Sequence, residues 1–322
     1  MQRIRGRGLG FLLAALVLLP AAQPESAHWQ IAPDRARRIL RDAPFEVRAV
    51  EAAPSGTTGA YKLGLYFPQE KLTLRAKWKA VPDGGDGLNN SPRKEIAADA
   101  LQRLVFSERD YVAPPAVLRC VERKALPEAV RPRKSNVEGA TCVLGTLSLW
   151  IENVTVPDQL WSPERFKTDP VYARAMAYLN LLAFLVNHRD GRSGNVLVAS
   201  PPHPFWAYAV DNGISFDPRI ANIFVMNWDS LRVPALRKDS IERVRALSPQ
   251  QIDALGVLAE MRMDEDGTLH QVAPGANLGR KEGARIEPGV VQLGLTKREL
   301  KKLRKRIREV LKKVDDGEIG TF

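Results

Sequence analysis

The chain has 322 residues, 44% of them hydrophobic, with 23 glycines, 23 prolines and only two cysteines. This composition is typical of a globular protein and excludes collagen-like, wholly disordered and disulfide-scaffold classes. The net charge is +11, but three of these charges come from Arg3, Arg5 and Arg7 and eight from residues 297–313. The rest of the chain is therefore close to neutral, and we expect no nucleic-acid partner.

The N-terminus has the pattern of a secretory signal peptide. The three arginines precede an apolar run over residues 11–19, which is followed by Ala21 and Ala22. Because the run is shorter than a membrane-spanning helix requires, we assign residues 1–23 to a signal peptide and keep a retained membrane anchor as the alternative. The mature protein is then exported, either to the periplasm or to the outside of the cell.

The two cysteines lie in apolar runs that predict strands, residues 116–121 and 140–147. If these runs pair, a disulfide between Cys120 and Cys142 closes a loop of roughly twenty residues and contributes about 3 kcal/mol. Such a bond fits an exported protein. The alternative is two buried thiols that do not meet.

Residues 45–80 predict β-structure, with a hairpin in its second half. Alternation in the last strand places Lys77 and Lys79 on the same face, so periodicity does not choose between them. Ser91 and Pro92 then predict the start of a helix that runs to about residue 106, with Glu95 in its first turn. The predicted strands of this part are residues 45–50, 61–67 and 72–80.

After Trp150 the sequence predicts mainly helical structure. Residues 170–187 are apolar almost all round, which is typical of a helix buried in a core. Two further helices are predicted to begin near Ser248 and Thr296. The helix after Thr296 has a capping box with Glu299, and the apolar stripe that docks it consists of Leu300, Leu303, Ile307, Leu311 and Val314.

A short hairpin is predicted between strands 196–200 and 205–210. Antiparallel pairing would place Asn195, at the start of the first strand, about 5 Å from Asp211, just past the end of the second. Asp190 lies on the loop that leads in. Three side chains that carry oxygen would then converge, a chemistry suited to Mg²⁺ or Mn²⁺ with bound phosphates.

The same residues form a motif. His188-Arg189-Asp190 followed by Asn195 fits the catalytic-loop pattern H-R-D-x-x-x-x-N of protein kinases, and Asp211-Asn212-Gly213 stands where kinases have D-F-G. The D-N-G form resembles the atypical secretory-pathway kinases, typified by the Golgi casein kinase, and the type II phosphatidylinositol kinases. Further matches to the secretory group are Trp78-Lys79-Ala80, Glu95-Ile96-Ala97-Ala98, Ala113-Pro114-Pro115 and Gly145-Thr146-Leu147.

This resemblance covers about half of the chain and implies an α+β, two-lobed protein-kinase-like fold. The β-rich N-lobe has one key helix, and the larger C-lobe is mainly helical. The expected domains are an N-terminal extension (24–44), the N-lobe (45–150), the C-lobe (151–294) and a basic amphipathic C-terminal helix with its tail (295–322).

The resemblance also implies roles for particular residues. Lys79, preferred over Lys77 on the Trp-Lys-Ala match, would hold nucleotide phosphates and pair with Glu95. Asp190 would act on the acceptor hydroxyl, and Asp211 and Asn195 would bind the metal. The remaining nucleotide contacts would come from the loop residues Gly56, Thr57, Thr58 and Gly59 and from Leu144 and Gly145.

The expected function is that of an exported phosphotransferase that uses ATP with Mg²⁺ or Mn²⁺ and transfers phosphate to a protein, sugar or lipid hydroxyl. The chain lacks G-x-G-x-x-G and A-P-E motifs, so it is not a regular eukaryotic protein kinase. Alternatives are a kinase-like module that binds a nucleotide or partner without turnover, and a transferase of AMP on the same scaffold. The basic C-terminal helix is expected to meet solvent, an acidic partner or an anionic membrane.

Overall fold

The protein combines antiparallel sheets with helices. It is 34% helix and 25% strand, which is compatible with the predicted α+β class. The computed structural model describes residues 28–52, 59–87, 91–132, 134–190, 194–216 and 228–322. The predicted signal peptide, residues 1–23, lies outside these ranges. Within them, no helix is both long and apolar enough to cross a bilayer.

Several predicted elements are confirmed, in some cases with the predicted bounds. Strands β2 and β3 match the predicted residues, and helices α2 and α4 end within one residue of the predicted positions. The helices are α1 (Pro33–Asp42), α2 (Pro92–Val105), α3 (Pro163–Thr168), α4 (Pro170–Val186), α5 (Lys238–Arg245), α6 (Pro249–Ala254) and α7 (Lys297–Asp315). The strands are β1 (Glu46–Ala52), β2 (Tyr61–Phe67), β3 (Leu72–Ala80), β4 (Ala116–Glu122), β5 (Cys142–Leu149), β6 (Val154–Thr155), β7 (Val196–Ala199), β8 (Ala207–Ala209), β9 (Ala235–Leu236), β10 (Ala259–Met263), β11 (Leu269–Val272), β12 (Ala284–Glu287), β13 (Val290–Leu293) and β14 (Gly320–Thr321).

The first half of the chain forms a five-stranded antiparallel sheet in the order β1-β2-β3-β5-β4. Helix α1, which lies in the predicted N-terminal extension, packs against β4 and β5. Arg119, on the face of β4 opposite to Lys77, donates hydrogen bonds to the carbonyls of Leu40 (3.3 Å) and Ala43 (3.0 Å) at the end of α1. Helix α1 is therefore part of the packed fold and lies against β4 and β5, at the β4 edge of the sheet.

The predicted disulfide is present. Cys120 on β4 and Cys142 on β5 are bonded, with their Cα atoms 5.5 Å apart. Strands β4 and β5 pair antiparallel, with Cys120 opposite Leu144 and Glu122 opposite Cys142. The two predicted runs therefore pair, as the disulfide required.

The second half contains more sheet than the sequence predicted. Instead of mainly helical structure, residues 259–293 form a four-stranded antiparallel sheet in the order β11-β10-β13-β12. Its strands have only four or five residues and are joined by turns with positive φ at Gly267 and Gly289, so none is long enough to show a clear period. Apolar residues of this sheet, among them Met261 and Val291, pack with Leu118 and Leu144 of the first sheet.

Helix α4 is the buried helix that the sequence predicted. Asp169 caps its N-terminus by accepting hydrogen bonds from the amides of Val171 and Tyr172, both 3.0 Å long. From Ala175 to Val186 every residue is buried. The helix ends at Asn187, which adopts a left-handed conformation (φ 54°), and the next residues form the loop that contains Asp190.

Helix α7 is docked by its apolar face. The capping box of Thr296 and Glu299 is confirmed, and the helix contacts α4, α5 and α6. Of the predicted stripe, Leu311 and Val314 are only partly buried, and Val310 is fully buried in addition. The stripe therefore turns slightly along the helix, as expected when 3.6 residues make one turn.

We expect deletion of residues 295–322 to destabilise the protein strongly, whereas charge reversal on the outer face of α7 should change stability little. Deletion exposes the surface that Leu300, Leu303, Ile307 and Val310 now cover, and Leu303→Ala alone should cost about 2–5 kcal/mol. Reversing Lys297, Lys301, Lys305 and Arg308, which are exposed, should change the free energy of unfolding by less than about 1 kcal/mol. Urea denaturation measures both. Equal stability of the truncated and full-length chains would contradict the docking.

Candidate functional site

The hairpin of β7 and β8 pairs antiparallel, as predicted. Val196 pairs with Ala209 and Val198 with Ala207, and the amide of Val210 donates a 2.9 Å hydrogen bond to the carbonyl of Asn195. The start of one strand and the end of the other therefore lie side by side. This places Asn195 next to the segment that ends in Asp211.

The side chain of Asn195 is hydrogen-bonded to Asp190. Its side-chain nitrogen donates to the Asp190 carboxylate (2.8 Å) and to the Asp190 carbonyl (2.7 Å). Because the nitrogen has two acceptors, the orientation of the amide is determined and its oxygen points away from Asp190. Both side chains are buried, so the structure brings two of the predicted site residues into contact.

The loop that contains Asp190 is held from several sides. His188 is buried, and its ring nitrogen lies 3.3 Å from the carbonyl of Val210. At the end of α4, Asn187 accepts a hydrogen bond from Arg306 of α7, and Arg306 also donates to the carbonyl of Phe184 (2.7 Å). The C-terminal helix thus helps to position the loop, a role that the sequence did not indicate.

Besides the Asp190–Asn195 pair, the site contains a charged cluster around Glu95. Only 3% of Glu95 is exposed. The ammonium of Lys77 lies 2.9 Å from one Glu95 oxygen and 3.4 Å from Asp211. The other Glu95 oxygen accepts a 3.1 Å hydrogen bond from the amide of Asn212. Glu95 therefore connects helix α2 both to β3 and to the segment after β8.

The lysine of this cluster is Lys77, which corrects the prediction that Lys79 pairs with Glu95. The two lysines lie on one face of β3, opposite Ser148 and Thr146 of β5 respectively. The alternation of side chains along β3 therefore places both lysines on the same side of the sheet. Only the position of α2 over the sheet decides which of them meets Glu95. The first turn of α2 lies nearest to Lys77, so the Trp-Lys-Ala match had shifted the assignment by two residues.

The charges of the cluster stabilise one another. The Lys77 ammonium lowers the pKa of Asp211 to about 2, so its carboxylate is charged at neutral pH. Burial acts to lower the pKa of Lys77, but the charges of Glu95 and Asp211 outweigh it and raise that pKa above its ordinary value. The charged Lys77 ammonium thus lies between the Asp211 carboxylate and the side chain of Glu95.

Asp211 adopts a left-handed backbone conformation, with φ 57° and ψ 54°. Aspartate tolerates this region better than most residues with a side chain, but at some cost. The conformation is held by Asn212, whose side chain donates to the carbonyl of Ala209 (3.1 Å) while its amide binds Glu95. The sequence showed Asn212 only as the middle of D-N-G and gave no sign of this role.

Helix α2 is anchored at its N-terminus by a buried ion pair. Arg93 donates to both carboxylate oxygens of Glu299, at 2.7 and 3.1 Å, and to Asp86 at 2.7 Å. Glu299 also caps α7. The sequence missed Arg93, because nothing in the local pattern near residue 93 indicates a partner two hundred residues away.

Three of the predicted nucleotide-binding residues, Gly56, Thr57 and Thr58, lie outside the described residues. Gly59 is described and has φ 68°, with open space where a side chain would begin. Leu144 is buried in an apolar cluster that also contains Leu118 and Met261, and Gly145 lies against the ring of Trp78. Their predicted contact with a nucleotide stays a prediction.

Asp211 and Asn195 are the residues of this site that could hold a divalent cation, through a carboxylate and an amide oxygen. The carboxylate of Asp211 is 45% exposed, and the amide oxygen of Asn195 accepts no hydrogen bond from the described residues. In the part of the chain that the structure describes, no group of three or more His, Cys, Asp or Glu side chains could hold an ion alone. The remaining ligands would be phosphate oxygens and water, which is usual for Mg²⁺.

Comparison with known proteins does not identify a family. No protein-family model matches the chain, and no curated protein matches it. Function is therefore inferred from the residues of the chain itself.

Proposed function

We propose that the protein is a metal-dependent phosphotransferase that transfers the terminal phosphate of a nucleoside triphosphate to a hydroxyl group. The observation that carries this proposal is the Lys77–Glu95–Asp211 cluster, with Asn195 and Asp190 at the adjoining hairpin. An ammonium, a metal-binding carboxylate and amide, and a carboxylate near the acceptor are the parts that phosphoryl transfer requires.

A protein-kinase-like, two-lobed fold belongs to the same proposal. It is supported by the order of the motifs along the chain and by the five-stranded sheet, with α2 presenting Glu95 to β3. The resemblance to atypical secretory-pathway kinases remains part of the proposal, as does export. The disulfide between Cys120 and Cys142 supports an oxidising compartment.

Each residue has a defined task in this proposal. Lys77 binds phosphate oxygens, and Glu95 holds its ammonium in place. Asp211 and Asn195 would hold a divalent cation, which would supply positive charge to neutralise the phosphates. As the hydroxyl oxygen bonds to phosphorus and the bond to the leaving diphosphate breaks, Asp190 accepts the hydroxyl proton. Positioning and charge neutralisation, with no covalent intermediate on the protein, account for the rate.

Ligand binding provides the first test. We expect ATP with Mn²⁺ to raise the melting temperature of the purified protein, because a ligand at about a hundred times its Kd adds about 2.7 kcal/mol of stability. Transfer is then measured as ADP formed in the presence of protein, sugar and lipid hydroxyl acceptors. Mn²⁺ without nucleotide, and ATP with a chelator, are the controls.

The outcomes separate the alternatives. Binding with ADP formation supports the phosphotransferase. Binding without any transfer would instead show a module that holds a nucleotide without turnover, and release of pyrophosphate would show transfer of AMP. No stabilisation by any nucleoside triphosphate would overturn the proposal and the nucleotide-binding alternatives together.

A further inference from the structure

Strand β3 presents three cations on one face, at alternate positions: Arg75, Lys77 and Lys79. Two of them have acidic partners. Arg75 pairs with Glu152 at 3.1 Å, and Lys77 pairs with Glu95 and Asp211. Among the residues that the structure describes, Lys79 has no ion pair and its ammonium has no hydrogen-bond acceptor.

Lys79 is nevertheless buried, with only 3% of its surface exposed. A largely buried ammonium without a counter-ion is costly, because little water can reach it to solvate the charge. The other buried lysines and arginines of the described chain all have partners: Arg37 with Asp99, Arg93 and Lys94 with Glu299, and Arg285 with backbone carbonyls. Lys79 is therefore the exception within the described ranges.

The surroundings of Lys79 belong to the proposed site. Burial lowers its pKa, and the nearby Lys77 lowers it further, while the charges of Asp211 and Glu95 act in the opposite direction. The ammonium thus shares one electrostatic environment with the cluster. On the same face, the hydroxyl of Ser148, opposite Lys77, is also buried and has no hydrogen-bond partner among the described residues. The Lys79 ammonium and the Ser148 hydroxyl are therefore two polar groups without a partner among the described residues, on the face of the sheet that the site occupies.

The sheet register indicates what Lys79 is near. Ala52 pairs with Tyr61 and Tyr61 with Trp78, so the end of β1 and the start of β2 lie beside the end of β3, where Lys79 lies. Alternate residues of a strand are roughly 7 Å apart. The ammonium groups of Lys77 and Lys79, at about this spacing, match an extended anion with several separated charges better than they match a small anion with one charge.

We propose that Lys79 is a second anion ligand of the site, which binds the end of a polyphosphate chain beyond the phosphates held by Lys77. This inference rests on the proposed function and adds to it that the two lysines have different tasks. Lys77 is held by its two carboxylates, whereas the charge of Lys79 is neutralised only when the ligand is bound. The terminal phosphate of a nucleoside triphosphate is the group that we assign to Lys79, and an acidic group on the acceptor is the other source of the same chemistry.

Calorimetric titration tests the inference with ATP, ADP and inorganic tripolyphosphate, each with Mn²⁺ and without acceptor. We expect Lys79→Met to weaken ATP and tripolyphosphate binding by about tenfold or more, the effect of one charge-assisted contact, and to change ADP binding by less than about threefold. Lys79→Arg should restore ATP binding. The matched control is Arg75→Met, which removes a cation from the same face and should not change the ratio of ATP to ADP affinity.

The melting temperature without ligand provides a second readout. Because Lys79→Met replaces an unpaired and largely buried charge by an apolar chain of similar length, we expect it to leave the ligand-free melting temperature unchanged or higher. A lower one, or failure to fold, would show that Lys79 has a structural partner and would overturn the inference.

Failure of the inference and failure of the proposed function are distinguishable. If the wild-type protein binds neither ATP nor tripolyphosphate, the proposed function fails. If it binds ATP but Lys79→Met leaves the ratio of ATP to ADP affinity unchanged, the function stands and the assignment of Lys79 to the terminal phosphate is wrong. An effect of Lys79→Met on acceptor affinity alone would place the anion on the acceptor and would also overturn that assignment.

Discussion

Asp211→Asn should reduce phosphoryl transfer by about a thousandfold or more while the protein stays folded. The substitution removes the charge that would bind the metal in the proposed function and leaves the size of the side chain unchanged. Loss of a single electrostatic contact to a transition state typically reduces the rate by 10²–10³-fold, and loss of the metal should cost at least the upper end of this range. The fold should survive because the side chain is 45% exposed. Initial rates of ADP formation at several Mn²⁺ concentrations measure the effect.

Asp253→Asn is a suitable control, since Asp253 is an exposed residue paired with Arg304 at the surface. It should retain the activity of the wild-type protein. Binding of Mn²⁺, followed by electron paramagnetic resonance in the presence of ATP, should weaken in Asp211→Asn alone. Unchanged Mn²⁺ binding in that variant would show that Asp211 does not hold the metal.

Arg37→Met should cost about 3–5 kcal/mol of stability, the expected penalty when one partner of a buried ion pair is removed. Arg37 of α1 donates two hydrogen bonds of 2.7 Å to Asp99 of α2, and only 1% of the Asp99 side chain is exposed. After the substitution Asp99 keeps a 3.0 Å hydrogen bond from Gln102 but loses its counter-ion. Urea denaturation monitored by circular dichroism measures the loss.

The matched control for this prediction lies on the same helix. Arg35 pairs with Glu70 at 3.2 Å, but both side chains are largely exposed, so Arg35→Met should change stability by less than about 1 kcal/mol. Similar small effects for both variants would mean that Asp99 does not depend on Arg37. Because α2 also presents Glu95 to the site, a strong effect would identify α1 as a support for the helix that carries Glu95.

The elements of the site were predictable because their patterns are local. Alternation determined β3, a proline after a serine marked the start of α2, and the apolar run of α4 determined a buried helix. The short turn between β7 and β8 favoured the antiparallel pairing that places Asn195 beside Val210, the residue before Asp211. In each case the information lies within one or two consecutive elements.

The four-stranded sheet and the helix anchors were not predictable in this way. Strands β10 to β13 are too short for a period to be recognised, and they are stable only because their apolar side packs on Leu118 and Leu144. The ion pair between Arg93 and Glu299 joins residues 206 positions apart. No local pattern contains such a pairing, although it sets the position of α2.

The sequence by itself determined that lysine, glutamate, two aspartates and an asparagine occur in a fixed order on strands, helices and turns of known type. Only the tertiary structure decided between Lys77 and Lys79, since a strand repeats every two residues and places both on the same face. The choice depends on where α2 lies over the sheet, and α2 is positioned by Arg37–Asp99 and Arg93–Glu299. These contacts join distant segments, so their energy exists only once the chain has folded.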